Sequence, residues 1–578
     1  MKFKQLYFSL LVFLFSACNV LDKEPIDIIS DAQVWEDQDL VDANLTQLYH
    51  ITNFNTIFNY QNNLNVITDE ARTCFGWSSL LNTYTLGVIN PDNIGDRTFV
   101  GYWEYNYVRQ YNEFLEKITQ STTLPAEFIE RRVAEVRFLR AFHYYNLVMR
   151  NGGVPIITKP QQRTDEDLYP QRNSEKEVYE FIRKELDDII KVLPESYDAA
   201  NKGRISKYTA LALKSRAMLY AASIAQNGEI QLDGLLGVPT TDADFYFEES
   251  MKASQEIINS NKFALYNKYP NDKAKNYQQL FLEKDNSEVI FAKKHTVSVF
   301  GHQYDHDNQP LSYKPAVYCV TNPTLEMVDS YEFADGTPGS AINYNQEIDT
   351  KELYKNKEPR FHATILYNQA PWIDNQVETY YFTIQSDIKT DKRDNSLGGR
   401  GKDVNADSNA GATQTGFTCK KYLREVRDVP AGAYSDQDFI IFRLGEIYLN
   451  LAEAAFELGQ SEIALSAINE IRERAGVPKL TASNLNQEAI RHERKIELAF
   501  EGIRYWDLRR WRTAHIALSG QFHKLNTYYI KSRNTYGYEI INCQGNLSRT
   551  FAEHHYYFPI ERKHITENPN MKQNPGYN

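Results

Sequence analysis

Between Phe442 and Pro478 the residue spacing is that of two short helices forced to cross closely. Counting from Tyr448, small or apolar residues fall at Leu451, Ala452, Gly459, Ala464, Ile468 and Ile471, and the unit closes with Gly476-Val477-Pro478. Small residues let two backbones approach, a glycine turns the chain between them, and a proline stops the second helix. This is the pattern of a tetratricopeptide repeat, and one such hairpin cannot bury its own apolar face. The pattern therefore predicts at least three stacked helix pairs.

Candidates for the other pairs lie upstream. Glu127–Met149 is apolar at Val133, Val136, Leu139, Phe142 and Leu147, near a 3.6-residue period, and Asn151-Gly152-Gly153 with Pro155 ends it. Ser174 precedes Glu175–Leu193 with Glu177 three places on, as in a capping box, and Pro194 follows. Ile205–Ser223 is rich in Ala and Leu, and Phe245–Asn259 pairs with it across a longer insert. Gln487–Arg512 reads as one more long helix laid on the stack. Between about His295 and Asp438 the texture changes to Tyr, Trp, Gly, Pro and Asn, and Ser386–Gly416 holds no aromatic residue. Loops of that length are usually functional or mobile. The expected fold class is mainly α, a tetratricopeptide-repeat-like helical scaffold with long loop insertions. At 578 residues the chain exceeds one ordinary core. It divides into a leader (1–17), an N-terminal helical region (18–280) and a C-terminal region (281–578) holding the loops and the late repeat.

The leader has Lys2 and Lys4, an apolar run from Leu6 to Phe15, and then Ser16-Ala17-Cys18. A charged start, a short apolar stretch and small residues mark a signal peptide too short to span a bilayer once mature. Cys18 directly after the small residues looks like a lipobox, with Phe15 where Leu is usual, so the thiol is expected to be acylated. Asp22 and Glu24 resemble the acidic patch that sends some bacterial lipoproteins to the outer face. Several acyl chains hold a soluble domain on a membrane, and no later segment reaches eighteen apolar residues.

The charge balance, 64 Lys plus Arg against 76 Asp plus Glu, gives −12 and argues against nucleic acid as a partner. The aromatic share is 13%, with 39 Tyr, 30 Phe and 6 Trp. Tyrosine joins a flat apolar face to a hydroxyl, which suits flat, wet ligands, although most of these rings are expected to pack helices. No cofactor or metal is expected. Cys74, Cys319, Cys419 and Cys543 are scattered singly, with their pairing open. His302 and His306 flank Asp305 but lack a third ligand. Gly398–Lys402 resembles a phosphate loop but has Ser396 and Asp403 at its defining places. No G-x-S-x-G elbow occurs. Glu497, Glu501 and Asp507 lie close enough to suggest a glycosidase pair. Arg504 and Arg509 on the same segment favour structural ion pairs instead.

Specific motifs carry a resemblance over essentially Cys18 to Asn578. They are Asp69-Glu70, Phe138-Leu139-Arg140-Ala141, Gly152-Gly153-Val154-Pro155 and Arg204-Ile205-Ser206 in the first half. In the second they are Phe442-Arg443-Leu444-Gly445-Glu446, Glu493-Arg494 with Glu497-Leu498, Glu501-Gly502, Arg504, Trp506–Arg510, and Tyr557-Phe558-Pro559-Ile560. In order and spacing these resemble the SusD/RagB family of nutrient-uptake lipoproteins. The resemblance implies a non-enzymatic outer-membrane protein that binds an oligosaccharide. It further implies a lid role on a SusC-like TonB-dependent transporter. A smaller branch handles peptides, and a surface glycosidase is a more distant alternative. In that family the segment after Asp69-Glu70 lies at the ligand face, where this chain has Arg72, Trp77 and Asn82, and Asp69 itself is a further candidate. Trp77 between Gly76 and Ser78 suits an exposed ring. Asp69 and Arg72 would bond hydroxyls, unless Asp69-Glu70 braces the turn. The His302–Tyr313 loop, with His302, Tyr304 and Tyr313, and Trp372 are the other candidates. The lack of a long Trp-rich arc argues against a helical, starch-like ligand.

Overall fold

The structure is a computed structural model that describes residues 31–59, 63–94, 102–313, 318–389, 397–404 and 411–577. The leader and Cys18 lie outside the described residues. The main helices are α1 (Gln38–Ile51), α2 (Tyr105–Ile118), α3 (Ala126–Asn151), α4 (Glu175–Ile189), α5 (Lys207–Asn227), α6 (Ala243–Asn259) and α7 (Lys273–Leu280). After the loop-rich segment come α8 (Leu444–Glu457), α9 (Ser461–Ala475), α10 (Gln487–Glu497) and α11 (Arg504–Arg510). The pairs α3/α4, α5/α6 and α8/α9 pack as hairpins, and α4 on α5 and α6 on α8 join them into one stack. The fold is thus the helical-repeat scaffold that the spacing demands. The described residues between α7 and α8 form a loop-rich insertion.

Local signals set the helix ends. The Ser174 hydroxyl accepts from the Glu177 amide (3.2 Å) while the Glu177 carboxylate accepts from the Ser174 amide (2.7 Å). Gly152, at φ 72°, ends α3, and a Cβ there would lie 2.4 Å from Leu236. Small polar side chains tie the crossings together. The Ser215 and Ser254 hydroxyls meet at 2.8 Å, and Asn450 donates to Ser215 at 2.9 Å, so α5, α6 and α8 converge on Ser215.

Gln487–Arg512 is not one helix. The chain breaks after Glu497 and passes through Phe500 at φ 60° and Gly502 at φ 75° before α11 begins. A distant segment takes up the freed amides. Phe500 N–H donates to Glu70 (3.0 Å) and Gly502 N–H to Asn65 (3.1 Å). Glycine suits 502 because of its φ, and a Cβ there would stand 3.1 Å from the Ile57 side chain, a tight contact. The break is therefore a cradle for residues 64–70.

The strands are short: β1 (Ala71–Thr73), β2 (Val289–Lys293), β3 (Thr321–Pro323), β4 (Phe382–Ile384), β5 (Phe439–Arg443), β6 (His523–Ile530) and β7 (Thr535–Asn542). Antiparallel pairing joins β1 to β3, β2 to β5 and β6 to β7, while β4 runs parallel to β6. Apolar side chains from Trp35 to Phe558 form one continuous cluster through both halves of the chain. Cys74, Cys319, Cys419 and Cys543 are buried thiols, and no disulfide forms among the described residues. Among those residues no helix is long and apolar enough to cross a membrane.

A buried charge cluster joins insertion to stack. Glu497, fully buried, accepts from Arg443 (2.7 Å), Arg360 (3.0 Å) and Arg474. Glu501 pairs with Arg443 and Lys421, both at 2.7 Å, and Asp507 with Arg494 (2.7 Å) and Arg510 (2.8 Å). These carboxylates are in structural ion pairs, as expected, but not with Arg504 and Arg509: the helix breaks between them, Arg504 pairs with Asp69, and Arg509 donates to the Arg150 and Tyr556 carbonyls. They do not form an acid/base pair open to substrate.

Candidate functional site

The cradle at the α10–α11 break fixes the segment that leads to the surface. Asp69 accepts from Arg504 through both oxygens (3.0 Å each) and pairs with Lys495 (2.9 Å), one partner from each side of the break. Burial alone would raise the Asp69 pKa, but Arg504 and Lys495 hold it far below the usual carboxylate range. Neighbouring Glu70 forms no ion pair among the described residues, and Arg504 and Lys495 do not offset its burial. Burial pushes its carboxyl up to about 7, with the Asp69 charge adding to the rise and the Phe500 amide opposing it. Beyond them β1 lies antiparallel to β3 in the register Ala71↔Pro323, Arg72↔Asn322, Thr73↔Thr321. Thr324 clamps the pair by donating its hydroxyl to Asp69 O (2.6 Å) and its amide to Glu70 O (3.0 Å).

Past Thr73 and before Thr321 the two chains leave the strand pair at the same end, and three aromatic rings meet there. Phe75 is buried. Its ring lies 4.9 Å from Trp77, tilted by 34°, and 5.1 Å edge-on from Tyr318. Trp77 is 64% exposed and Tyr318 40%. The Phe75–Ser78 turn is closed by Ser78 N–H to Phe75 O (3.2 Å), and Asn82 donates to Gly76 O (2.9 Å). The result is a ledge with a fixed floor and two solvent-facing rings. Polar groups border the strand pair: the Gln414 amide donates to Asn322 (2.9 Å), and Gln414 shares a small recess with Tyr381, Lys524 and Asn526. Flat, solvent-facing rings can stack a sugar face, and polar side chains can bond its hydroxyls.

The other expected ligand contacts separate. Arg72 is buried and donates to Cys543 O, so with Asp69 it braces the site from inside. Tyr304 is buried and donates to Lys421 O (3.0 Å), and Tyr313 is buried with Arg427 over its ring at 4.5 Å. Trp372, 1% exposed, packs in the core. His302 is half-buried and stacks on Phe58 at 4.0 Å. Burial lowers its pKa to about 3, keeping it neutral. The His302–Tyr313 stretch is thus packed structure and not a loop open to ligand. Its Asp305 carboxylate is held by Arg424 (2.7 Å), Ser435 (2.8 Å) and Gln437 (2.7 Å). Of the sequence candidates only Trp77 and Asn82 reach solvent at the ledge. Phe75 and Tyr318 complete it and are new.

Against known proteins, residues 287–577 match the SusD family, and residues 20–219 match a family described as starch-binding and associating with the outer membrane. The chain belongs to the SusD family. Among its relatives, the starch-binding protein SusD of Bacteroides thetaiotaomicron is 26% identical over 88% of this chain and 84% of its own length. A SusD-like protein of Bacteroides fragilis superimposes with a TM-score of 0.75 at 28% identity, covering 96% of this chain and all of that one. A laminarin-binding SusD-like protein shares the fold at a TM-score of 0.62 and 22% identity, with 94% of this chain and all of that one covered. The family motifs have physical roles here: Asp69-Glu70 of the first half is held by Phe500 and Arg504 of the second.

That pairing predicts a pH effect. Glu70 ionises near 4.5 when unfolded and near 7 when folded, so the folded state holds the extra proton between these values. Stability from this group is present below about pH 4.5 and is lost as pH rises through about 7. Glu70→Gln keeps an acceptor for Phe500 and cannot ionise. It is expected to melt close to the parent at pH 5 and to gain about 1–3 kcal/mol over it at pH 8. Melting curves that keep a constant offset across this range would assign the proton elsewhere.

Proposed function

We propose that this SusD-family protein captures a neutral oligosaccharide on the Phe75–Trp77–Tyr318 ledge and delivers it, as a lid, to a SusC-like TonB-dependent transporter of the outer membrane. The observation that carries this reading is an indole 64% exposed on a floor that the fold immobilises. An exposed Trp contributes little to folding, whereas a rigid ring presented to solvent loses little entropy on stacking a sugar. Family membership and the starch-binding relative support carbohydrate as the ligand class. Two exposed rings on one ledge favour a flat-faced chain over a helical one. The three ledge rings are uncharged, which fits sugars better than the charged ends of peptides. Binding without chemistry is consistent with Glu497, Glu501 and Asp507 being locked in ion pairs.

Thermal melts against a panel of neutral glycans and of peptides test the reading. At least one glycan is expected to raise the melting temperature. Shifts by peptides alone would transfer the protein to the peptide-handling branch, and release of shortened glycan would make it an enzyme. The lipobox supports anchoring through Cys18, so Cys18→Ser is expected to move the protein from the membrane to the soluble fraction. A variant that still sediments with membranes would contradict the anchor.

A further inference from the structure

A second cavity, which shares no residue with the ledge, lies between α1, the 200–204 turn and β2. It has a volume of about 430 Å³, in the range of small-ligand sites. Its chemistry is unlike that of the chain as a whole. The protein is acidic at −12, yet no Asp or Glu lines this cavity, while Lys202, Arg204, Lys293, Lys294 and His50 all do. Three of the four Lys and Arg side chains are spoken for: Lys202 pairs with Asp285 (2.9 Å), Arg204 with Asp42 (2.9 Å), and Lys294 with Asp438 (2.9 Å). Lys293 is different. It is half-buried at the end of β2, its ammonium has no ion pair or hydrogen bond among the described residues, and that ammonium lies over the Phe300 ring at 5.6 Å. Desolvation, with no acid to offset it, lowers its pKa.

Phe300 is held at the cavity as a fixed platform. Its ring stacks on His295 at 5.3 Å with only 6° between planes, meets His50 edge-on at 5.4 Å, and remains 37% exposed. Its turn is pinned by Phe300 N–H to Thr296 O (2.9 Å) and Ser298 N–H to Ala433 O (2.8 Å). A half-buried ammonium without a counter-charge is unfavourable unless something supplies one. A pinned aromatic ring beside it supplies the stacking face that a sugar ring wants.

We propose that this cavity is a second binding site, for an acidic sugar whose carboxylate or sulfate ester pairs with Lys293 while its ring stacks on Phe300. Carboxylate and sulfate share the anionic oxygens that Lys293 would bond, and the probes separate them. Calorimetry on the whole soluble chain would use trigalacturonate, a sulfated galactan tetrasaccharide and an uncharged galactan oligomer. At least one anionic probe is expected to bind, and more weakly as salt rises from about 50 to about 500 mM. Lys293→Met should weaken that binding at least about tenfold, Lys293→Arg should largely restore it, and Trp77→Ala should leave it unchanged. Trigalacturonate binding assigns uronates, and binding of the sulfated probe assigns sulfate esters. The proposal is overturned if neither binds, if the uncharged oligomer binds equally well, or if Lys293→Met, checked by an unchanged melt, has no effect. Because the ledge shares no residue with this cavity, either site can fail without the other.

Discussion

A Glu497→Ala variant is expected to lose about 3–5 kcal/mol of stability, a large share of what holds a domain folded. Glu497 is one of five acids (Glu288, Glu358, Glu493, Glu497, Glu501) that face Arg360, Arg443, Arg472, Arg474 and Lys421 in the interior. Glu332 joins the network at its rim through Arg472 (3.0 Å), and Glu497 touches three of the guanidiniums. Removing it leaves Arg360, Arg443 and Arg474 without the carboxylate they share in the interior, and that penalty exceeds the worth of any single lost contact. Burial would raise the Glu497 pKa, but Arg474, Arg443 and Arg360 together hold it far below the ordinary carboxylate range. Its contribution is therefore intact above about pH 4.5 and is lost as pH falls towards the folded value. Urea titration should show a lower midpoint with an unchanged slope. Glu497→Gln, which keeps the shape, should fall between parent and alanine variant, and adding Arg474→Met should recover part of the loss. An alanine variant within about 1 kcal/mol of the parent would refute this account.

The same network shows why some of the fold can be read from one sequence and some cannot. Helix periods and caps are local: Ser174 and Glu177 lie three residues apart, and the small residues of α8 and α9 within one repeat. Glu497, Glu501 and Asp507 close to arginines mark ion pairing in the same way, but not its partners: Arg443, Arg360, Arg474 and Lys421 come from far along the chain. The break between α10 and α11 is not local. Leu498, Ala499 and Phe500 all suit a helix, and only the far-off Glu70 and Asn65 make leaving it favourable. A helical period therefore runs on through a site where tertiary bonds end it.

The ledge divides in the same way. Trp77 stands out because Gly76 and Ser78 offer it no core to enter. Phe75 and Tyr318 carry no such mark, since their meeting depends on the register Thr73↔Thr321, a pairing across most of the first half of the chain. Tyr304, Tyr313 and Trp372 sit in a stretch rich in Gly, Pro and Asn, a composition that reads as open loop. The insertion instead folds back on the stack and buries them through Lys421, Arg427 and the core. Composition describes how a segment turns, and only its long-range partners decide which side chains stay outside.

Trp77→Ala is expected to weaken glycan binding severalfold to about tenfold, or roughly 1–1.4 kcal/mol, with the melt nearly unchanged. The two halves of this expectation have one cause. The indole is 64% exposed and its ring partner among the described residues is Phe75, so its loss costs the fold within about 0.5 kcal/mol. The face it presents to solvent is the face a sugar would cover. Phe75→Ala is a poorer test because that ring is buried, and any loss of affinity would mix with a disturbed floor. Tyr318→Ala should weaken binding less, since a smaller part of its ring is exposed. Trp103 supplies the contrast. It lines a separate cavity of about 540 Å³ with Tyr105, Tyr169 and His564, and its ring lies 5.8 Å from His564. If Trp103→Ala abolishes glycan binding while Trp77→Ala does nothing by calorimetry, the ligand occupies that cavity and the ledge is not the site. If Trp77→Ala alone lowers affinity, the turn at Gly76–Ser78 holds its tryptophan outside for the ligand, and the buried Asp69–Arg504 pair earns its place by keeping that turn still.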